Sequence, residues 1–224
     1  RGEGVSLGTL GAIEFSRGRL DAAELYFTQA LEIAQEVSDP IAVSHCHNAL
    51  AALAFERGDV TGAVDAWRAA LALAREIGAR REQCIILNNI GEALIAQDDL
   101  PGASKCLDEA DHLATALGDK RALADIVRNL GVVALRRGDA EANTLFLQAL
   151  RAAEEYGGRE AIAHAHRTIA QGRAKSGDPD GKAEMDFLAS IDIFRMMGNE
   201  REAAKSLVEL GQHLTERGDH RGAR

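Results

Sequence analysis

Apolar and small residues recur along the chain every three or four positions, the spacing of one face of an α-helix, and Gly- and Asp-containing clusters interrupt the runs at regular intervals. The stretch from Asn89 to Gly118 shows the unit in full. Ile90, Gly91 and Leu94 mark a first helix, A, that stops at Gln97-Asp98-Asp99. Asp99 then caps a second helix, B, through its carboxylate, and Pro101 sits in the first turn, where its missing N–H has no partner to lose. Ala103, Leu107 and Ala110 carry the apolar stripe of helix B. Small residues at Gly91, Ala103 and Ala110 allow the two backbones to approach, and Leu94, Leu107 and Leu113 fill the space left between them.

The unit repeats. Its small helix A residue falls at Gly11, Ala51, Gly91, Gly131, Ala170 and Gly211, in steps of 40, 40, 40, 39 and 41 residues. The turn residue follows in parallel at Gly18, Gly58, Asp98, Gly138, Gly177 and Gly218, and helix B opens at Ala23, Ala63, Ala103, Ala142, Ala183 and Ala223. One residue is lost between Gly138 and Ala142 and one gained between Gly177 and Ala183, which places both irregularities in A–B turns, with Asp178-Pro179 as cap and first-turn proline in the longer one. Asn199 and Glu202 have capping-box spacing. Short links make neighbouring helices antiparallel, and each pair must bury its open face on the next. The expected architecture is all-α, with five full repeats and part of a sixth in one repeat domain over residues 1–224. Because the chain starts at Arg1 and stops a few residues into a helix B, it is expected to be a piece of a longer protein.

Composition narrows the function. Apolar residues make up 46% of the chain but aromatics only 4%, so Ala and Leu must build the core. A formal net charge of -9 opposes phosphate-driven nucleic-acid binding and attachment to anionic membranes, and no run approaches the roughly 18 apolar residues of a membrane span. Cys46, Cys84 and Cys106 are odd in number and far apart, which fits reduced thiols in a cytoplasmic chain and no zinc site. His45 and His47, like His164 and His166, point about 200° apart around a helix and cannot chelate one ion as pairs. No nucleophile triad, phosphate loop or paired-carboxylate cleft emerges, so neither an enzyme nor a cofactor is expected.

Leu10, Gly11, Gly18, Ala23, Phe27, Ala30 and Leu31 in the first unit resemble the tetratricopeptide repeat. So do Leu50, Gly58, Ala63, Trp67, Ala70 and Leu71 in the second, and Leu130, Gly131, Gly138, Ala142, Phe146, Ala149 and Leu150 in the fourth. The longer period is similar to the subclass of kinesin light chains, Pins-type adaptors and MalT-like or Rap-type bacterial regulators. The resemblance implies a right-handed superhelical solenoid whose A helices line a concave groove.

Residues six and three before the small residue, and one and four after it, share the helix face assigned to that groove. In the first three units this face is apolar with asparagines, including Phe15, Asn48, Phe55, Ile85, Asn88, Glu92 and Ile95, with Asn89 beside it. Later units add Arg128 and Arg167, with Asn129, Arg136 and Lys175 adjacent. Asparagine both donates and accepts, so Asn48, Asn88, Asn89 and Asn129 suit the backbone of an extended peptide, and the basic half suits acidic groups. The residues required by the Hsp70/Hsp90 carboxylate clamp are absent: the matching positions hold Asn88 and Glu92, Asn129, then His164 and Thr168. The leading expectation is a protein-interaction scaffold that binds an extended peptide or partner helix carrying acidic and apolar residues. The alternatives are the ligand-sensing arm of a larger bacterial regulator and self-assembly through exposed repeat ends. Weak C-terminal self-association is expected from Leu207, Leu210 and Leu214, left uncovered by the truncated sixth helix B.

Overall fold

A computed structural model describes residues 2–178 and 180–218. Among these residues it contains eleven α-helices and no strand. The helices group into two compact units, Arg1–Asp119 and Lys120–Arg224. The first holds α1 (Gly2–Ser16), α2 (Leu20–Glu36), α3 (Pro40–Glu56), α4 (Val60–Glu76), α5 (Arg80–Ala96) and α6 (Leu100–Leu117). The second holds α7 (Lys120–Arg137), α8 (Ala142–Tyr156), α9 (Arg159–Lys175), α10 (Lys182–Met196) and α11 (Glu200–Glu216). Odd-numbered helices are the expected A helices and even-numbered ones the B helices: five pairs, then a sixth helix A. Each helix packs on its successor within its unit, and successive A helices also touch, α1 with α3, α3 with α5, and α7 with α9.

Local chemistry explains the boundaries. Asp39, Asp59 and Asp99 accept hydrogen bonds from the backbone N–H groups of Ala42, Gly62 and Gly102, satisfying donors that the first turn leaves unpaired. At the A–B turn the chain passes through positive φ; Gly58 does so freely at 89°, whereas Asp98 holds the same place at 63°, a conformation that Asp tolerates better than most side chains. Both irregular turns occur where expected, between α7 and α8 and between α9 and α10. Asp178 accepts from Lys182 N at 2.9 Å, but α10 opens at Lys182 with Gly181 at the N-cap position, so Asp178 is not the N-cap residue expected and position 179 precedes the helix instead of forming its first turn. Pro179, Asp219 and Ala223 lie outside the described residues.

The core is a chain of small clusters, each bridging consecutive helices, as expected for stacked repeats. In the first unit Ala23 and Phe27 of α2 meet Leu53 of α3. In the second, Phe146 of α8 packs with Ala134 of α7 and Ile169 of α9, and Phe187 and Ile191 of α10 with Ala170 of α9 and Leu210 and Leu214 of α11. Leu210 and Leu214 are therefore buried, contrary to the expected uncovered surface; of the three leucines only Leu207 is exposed, because the face of α11 that carries the other two turns toward α10. Ile90, Gly91 and Leu94 are all buried on α5, as the repeat pattern requires. Leu94→Ala should open a cavity costing about 2–5 kcal/mol, read as a lower urea midpoint at constant slope.

Candidate binding faces

Within the first unit the A-helix face opens into a cleft of about 610 Å³ between α1, α2 and α3. Its α1 wall is made by Gly4, Val5, Gly8, Thr9 and Ala12, and the row Gly4, Gly8 and Ala12 presents almost no side chain. A Cβ added to Gly8 would meet nothing within 4 Å, which makes that residue an open part of the wall. Phe27 and Ile33 of α2, Val37 just beyond its end, and Ala42, Cys46 and Ala49 of α3 supply apolar surface, and Thr9, Asp39, His45 and Asn48 supply polarity. Burial raises the Cys46 thiol pKa, so the sulfur lines the cleft as a neutral, weakly polar group. His45 Nε2 lies 2.7 Å from Glu82 Oε1 of α5.

Asn48 carries more than the cleft. Its Oδ1 accepts from Trp67 Nε1 and from Asn89 Nδ2, both at 2.9 Å, tying α3 to α4 and α5. Indole N–H only donates, so this contact fixes which amide atom is oxygen and identifies Nδ2 as the amide donor. Asn89 is thereby engaged with the scaffold. Phe55 leans on Trp67 with ring centroids 5.9 Å apart. Ile95 is buried, Ile85, Asn88 and Phe15 are half-buried, and Glu92 is exposed.

In the second unit charged side chains replace the apolar cleft. Arg167 of α9 donates from Nη1 to Glu202 Oε2 of α11 at 2.8 Å and from Nη2 to His164 Nδ1 at 2.9 Å, and its guanidinium carbon lies 5.7 Å from the centre of the Phe194 ring. Lys205 Nζ donates to Glu202 Oε1 at 2.6 Å. Burial alone would raise the Glu202 carboxyl, but the Lys205 hydrogen bond and the Arg167 and Lys205 charges prevail and hold it at about 2. His164 falls to about 3, first through burial and then through Arg128 and Arg167. Arg128 of α7 has its Nε buried without a hydrogen-bond partner among the described residues. Beside it Asn129 is only 1% exposed and belongs to the packing rather than to an open face. Lys175 Nζ donates to the Leu135 carbonyl at 3.0 Å, and Arg136 is exposed.

The structure thus brings Asn48 to Asn89, with Phe55 nearby on Trp67, and pairs Arg167 with Glu202 and His164. Glu202 escaped the sequence reading because its spacing from Asn199 explained it as a capping-box residue. Asn199 does cap, accepting from Glu202 N at 3.2 Å, but the Glu202 side chain reaches Arg167 and Lys205 instead of closing the box. His164 and His166 diverge, the first to Arg167 and the second to Asp186, and no group of three metal-ligating side chains occurs among the described residues. No helix among them is long and apolar enough to cross a membrane.

Residues 5–40 match the family model described as Tetratricopeptide repeat. No curated protein matches the sequence. Among solved structures, a Rap protein complexed with competence and sporulation factor is similar with TM-score 0.80 at 14% identity, covering 97% of this chain and 59% of that one. BtubC (BKLC) from P. vanneervenii gives 0.64 at 22%, covering 86% and 80%. A signal-transduction ATPase with numerous domains and a tetratricopeptide repeat sensor, from Pyrococcus horikoshii, gives 0.69 at 15%, covering 95% of this chain and 32% of that one. At these identities the likeness establishes the tetratricopeptide-type helical fold.

Proposed function

We propose that this chain is a non-enzymatic, cytoplasmic interaction scaffold that receives an extended peptide or partner helix on its A-helix faces, as one repeat domain of a longer protein. The observation that carries the reading is the cleft of the first unit: about 610 Å³, walled on one side by Gly4, Gly8 and Ala12, and largely apolar, with a few polar groups at Thr9, Asp39, His45 and Asn48. Apolar side chains of the partner fill the cleft, and Asn48 Nδ2 bonds its backbone. The Rap regulator of plasmid pLS20, solved in complex with the Phr* peptide and similar with TM-score 0.74 at 16% identity over 94% of this chain and 62% of that one, supports this use of the fold. A second reading, the sensing arm of a regulator, draws on the same volume, which also suits a small molecule, and on the sensor of the Pyrococcus neighbour.

Gly8→Phe tests the site, because a Cβ there meets nothing within 4 Å and the ring is directed to the cleft that Gly8 lines. Peptides selected from a random displayed library on the native chain should lose at least tenfold in affinity for the variant, while circular dichroism and the urea midpoint stay close to native. Equal affinity of the two proteins would remove the cleft from the binding site. Selection of no peptide, together with a small metabolite that raises the melting temperature of the native chain and not of the variant, would favour the sensor.

A further inference from the structure

Each helix A carries a second face, made by the positions five and one before its small residue and two after it. On α3, α5, α9 and α11 the preceding helix B packs against the helix, and Leu53, Ile90, Ile169 and Leu210 of this face are all buried. On α1 the same three positions hold Ser6, Leu10 and Ile13, and all are exposed, Leu10 at 43% and Ile13 at 40%. Composition does not explain the difference. Leu10 corresponds to Ile90 and Leu210, and Ile13 to Leu53, so apolar side chains of the same kind are covered elsewhere in the chain and open to water on α1.

The covered copies show what chemistry fits. Ala23 and Phe27 of α2 cluster with Leu53, Ala142 and Phe146 of α8 with Ile169, and Phe187 of α10 with Leu210. A covering helix thus presents a small residue and, four positions on, a large one; Ala183 precedes Phe187 by the same step. Three positions further, the Ser190 hydroxyl of α10 lies 3.0 Å from that of Ser206 on α11, and Ser206 stands where α1 has Ser6. Every helix B among the described residues keeps its own large residue inside: Phe27, Trp67, Leu107, Phe146 and Phe187 are at most 7% exposed. A second folded copy of this chain therefore has no such stripe to offer among those residues.

We propose that the Ser6, Leu10 and Ile13 face of α1 docks an amphipathic helix of a different protein, one that carries Ala-x3-Phe-x2-Ser, or Leu and Ala at the second and third of those places, and lies on α1 as α2 lies on α3. Its large residue covers Leu10 and Ile13, its alanine lets the two backbones approach, and its serine reaches the Ser6 hydroxyl. None of the three α1 residues lines the cleft, so this surface is separate from the one assigned to the scaffold function and takes a partner of its own.

In the first test, residues 20–40 are copied directly ahead of residue 1, which sets the extra helix before α1 in the register that α2 has before α3. The copy should raise the urea midpoint, and its amides should be protected from hydrogen exchange. Leu10→Glu should cancel both gains while leaving the midpoint of the unextended chain close to native, because Leu10 is exposed there. In the second test, a fluorescent peptide of residues 19–37, stapled between side chains to hold it helical, is titrated into the 224-residue chain. Binding should saturate, weaken about tenfold or more in Leu10→Glu and again with Phe27→Ala in the peptide, and persist in Gly8→Phe, whose change is confined to the cleft. Ile13→Glu replaces Leu10→Glu if the latter protein is not helical. A copied helix that exchanges like a free peptide, the absence of peptide binding, or binding indifferent to Leu10→Glu overturns the docking face. Dimerisation of the native chain that Leu10→Glu abolishes gives the face to a second copy and overturns it as well. The cleft stands or falls separately, on the response of its selected peptides to Gly8→Phe.

Discussion

Gly91→Leu should be among the most damaging single changes in the first unit. A Cβ at Gly91 would already stand 2.7 Å from both Cγ and Cδ2 of Leu107, closer than real Cβ contacts come. Leu107 is fully buried, so its side chain cannot swing out to solvent. The added branch must therefore push α5 from α6, and overpacking of this kind costs about 1–3 kcal/mol or more. Against a marginal total stability, that should produce a large fall in the urea midpoint. A double-mutant cycle identifies the cause. Gly91→Ala should destabilise alone, Leu107→Ala should destabilise through a cavity, and the pair should cost less than the sum, because each relieves the other. Additive effects would show that the two side chains do not share the space assigned to them. Gly131, whose Cβ would lie 2.6 Å from the Phe146 ring, should behave in the same way in the second unit.

Acid should unfold the second unit at a pH where exposed carboxylates are still largely ionised. His164 drops from the ordinary 6.5 to about 3 in the folded chain, so between those values the unfolded state binds a proton that the folded state refuses. Stability is then complete above pH 6.5 and falls with decreasing pH by about 1.4 kcal/mol per unit, or roughly 2–3 kcal/mol by pH 4.5. Glu202, held at about 2 against an ordinary 4.5, adds a second loss in the same direction as pH falls below 4.5. Glu160 works the other way: its raised pKa contributes stability in acid that disappears as pH rises through the folded value. Urea midpoints measured from pH 7.5 to 4 should decline steeply for the native chain and less steeply for His164→Gln, whose amide oxygen can still accept from Arg167 but which takes up no proton. Parallel declines would remove His164 from the account.

The sequence by itself determined the repeat. Spacing near 40 residues, small residues at Gly91 and Gly131, and large ones at Leu107 and Phe146 dictate which faces of two helices meet, because helical periodicity and side-chain volume are local properties. The caps at Asp39, Asp59 and Asp99 were legible for the same reason, since their partners lie three residues away. Pairing across helices was not legible. Asn48 and Asn89 are 41 residues apart, and whether each meets a ligand or the other depends on how α3 and α5 are offset and rotated. Arg128 and Arg167 occupy equivalent positions of consecutive repeats, yet Glu202 lies opposite Arg167 and leaves Arg128 Nε unpaired. Glu202 itself had a sufficient local explanation as a capping residue; Lys205 reaches it from the next turn of the same helix, but only the approach of α9 to α11 brought Arg167 to its carboxylate. Periodicity assigns a side chain to a face; the partner it finds there is decided by tertiary geometry, because a hydrogen bond is lost over displacements of about an ångström that leave the hydrophobic pattern unchanged.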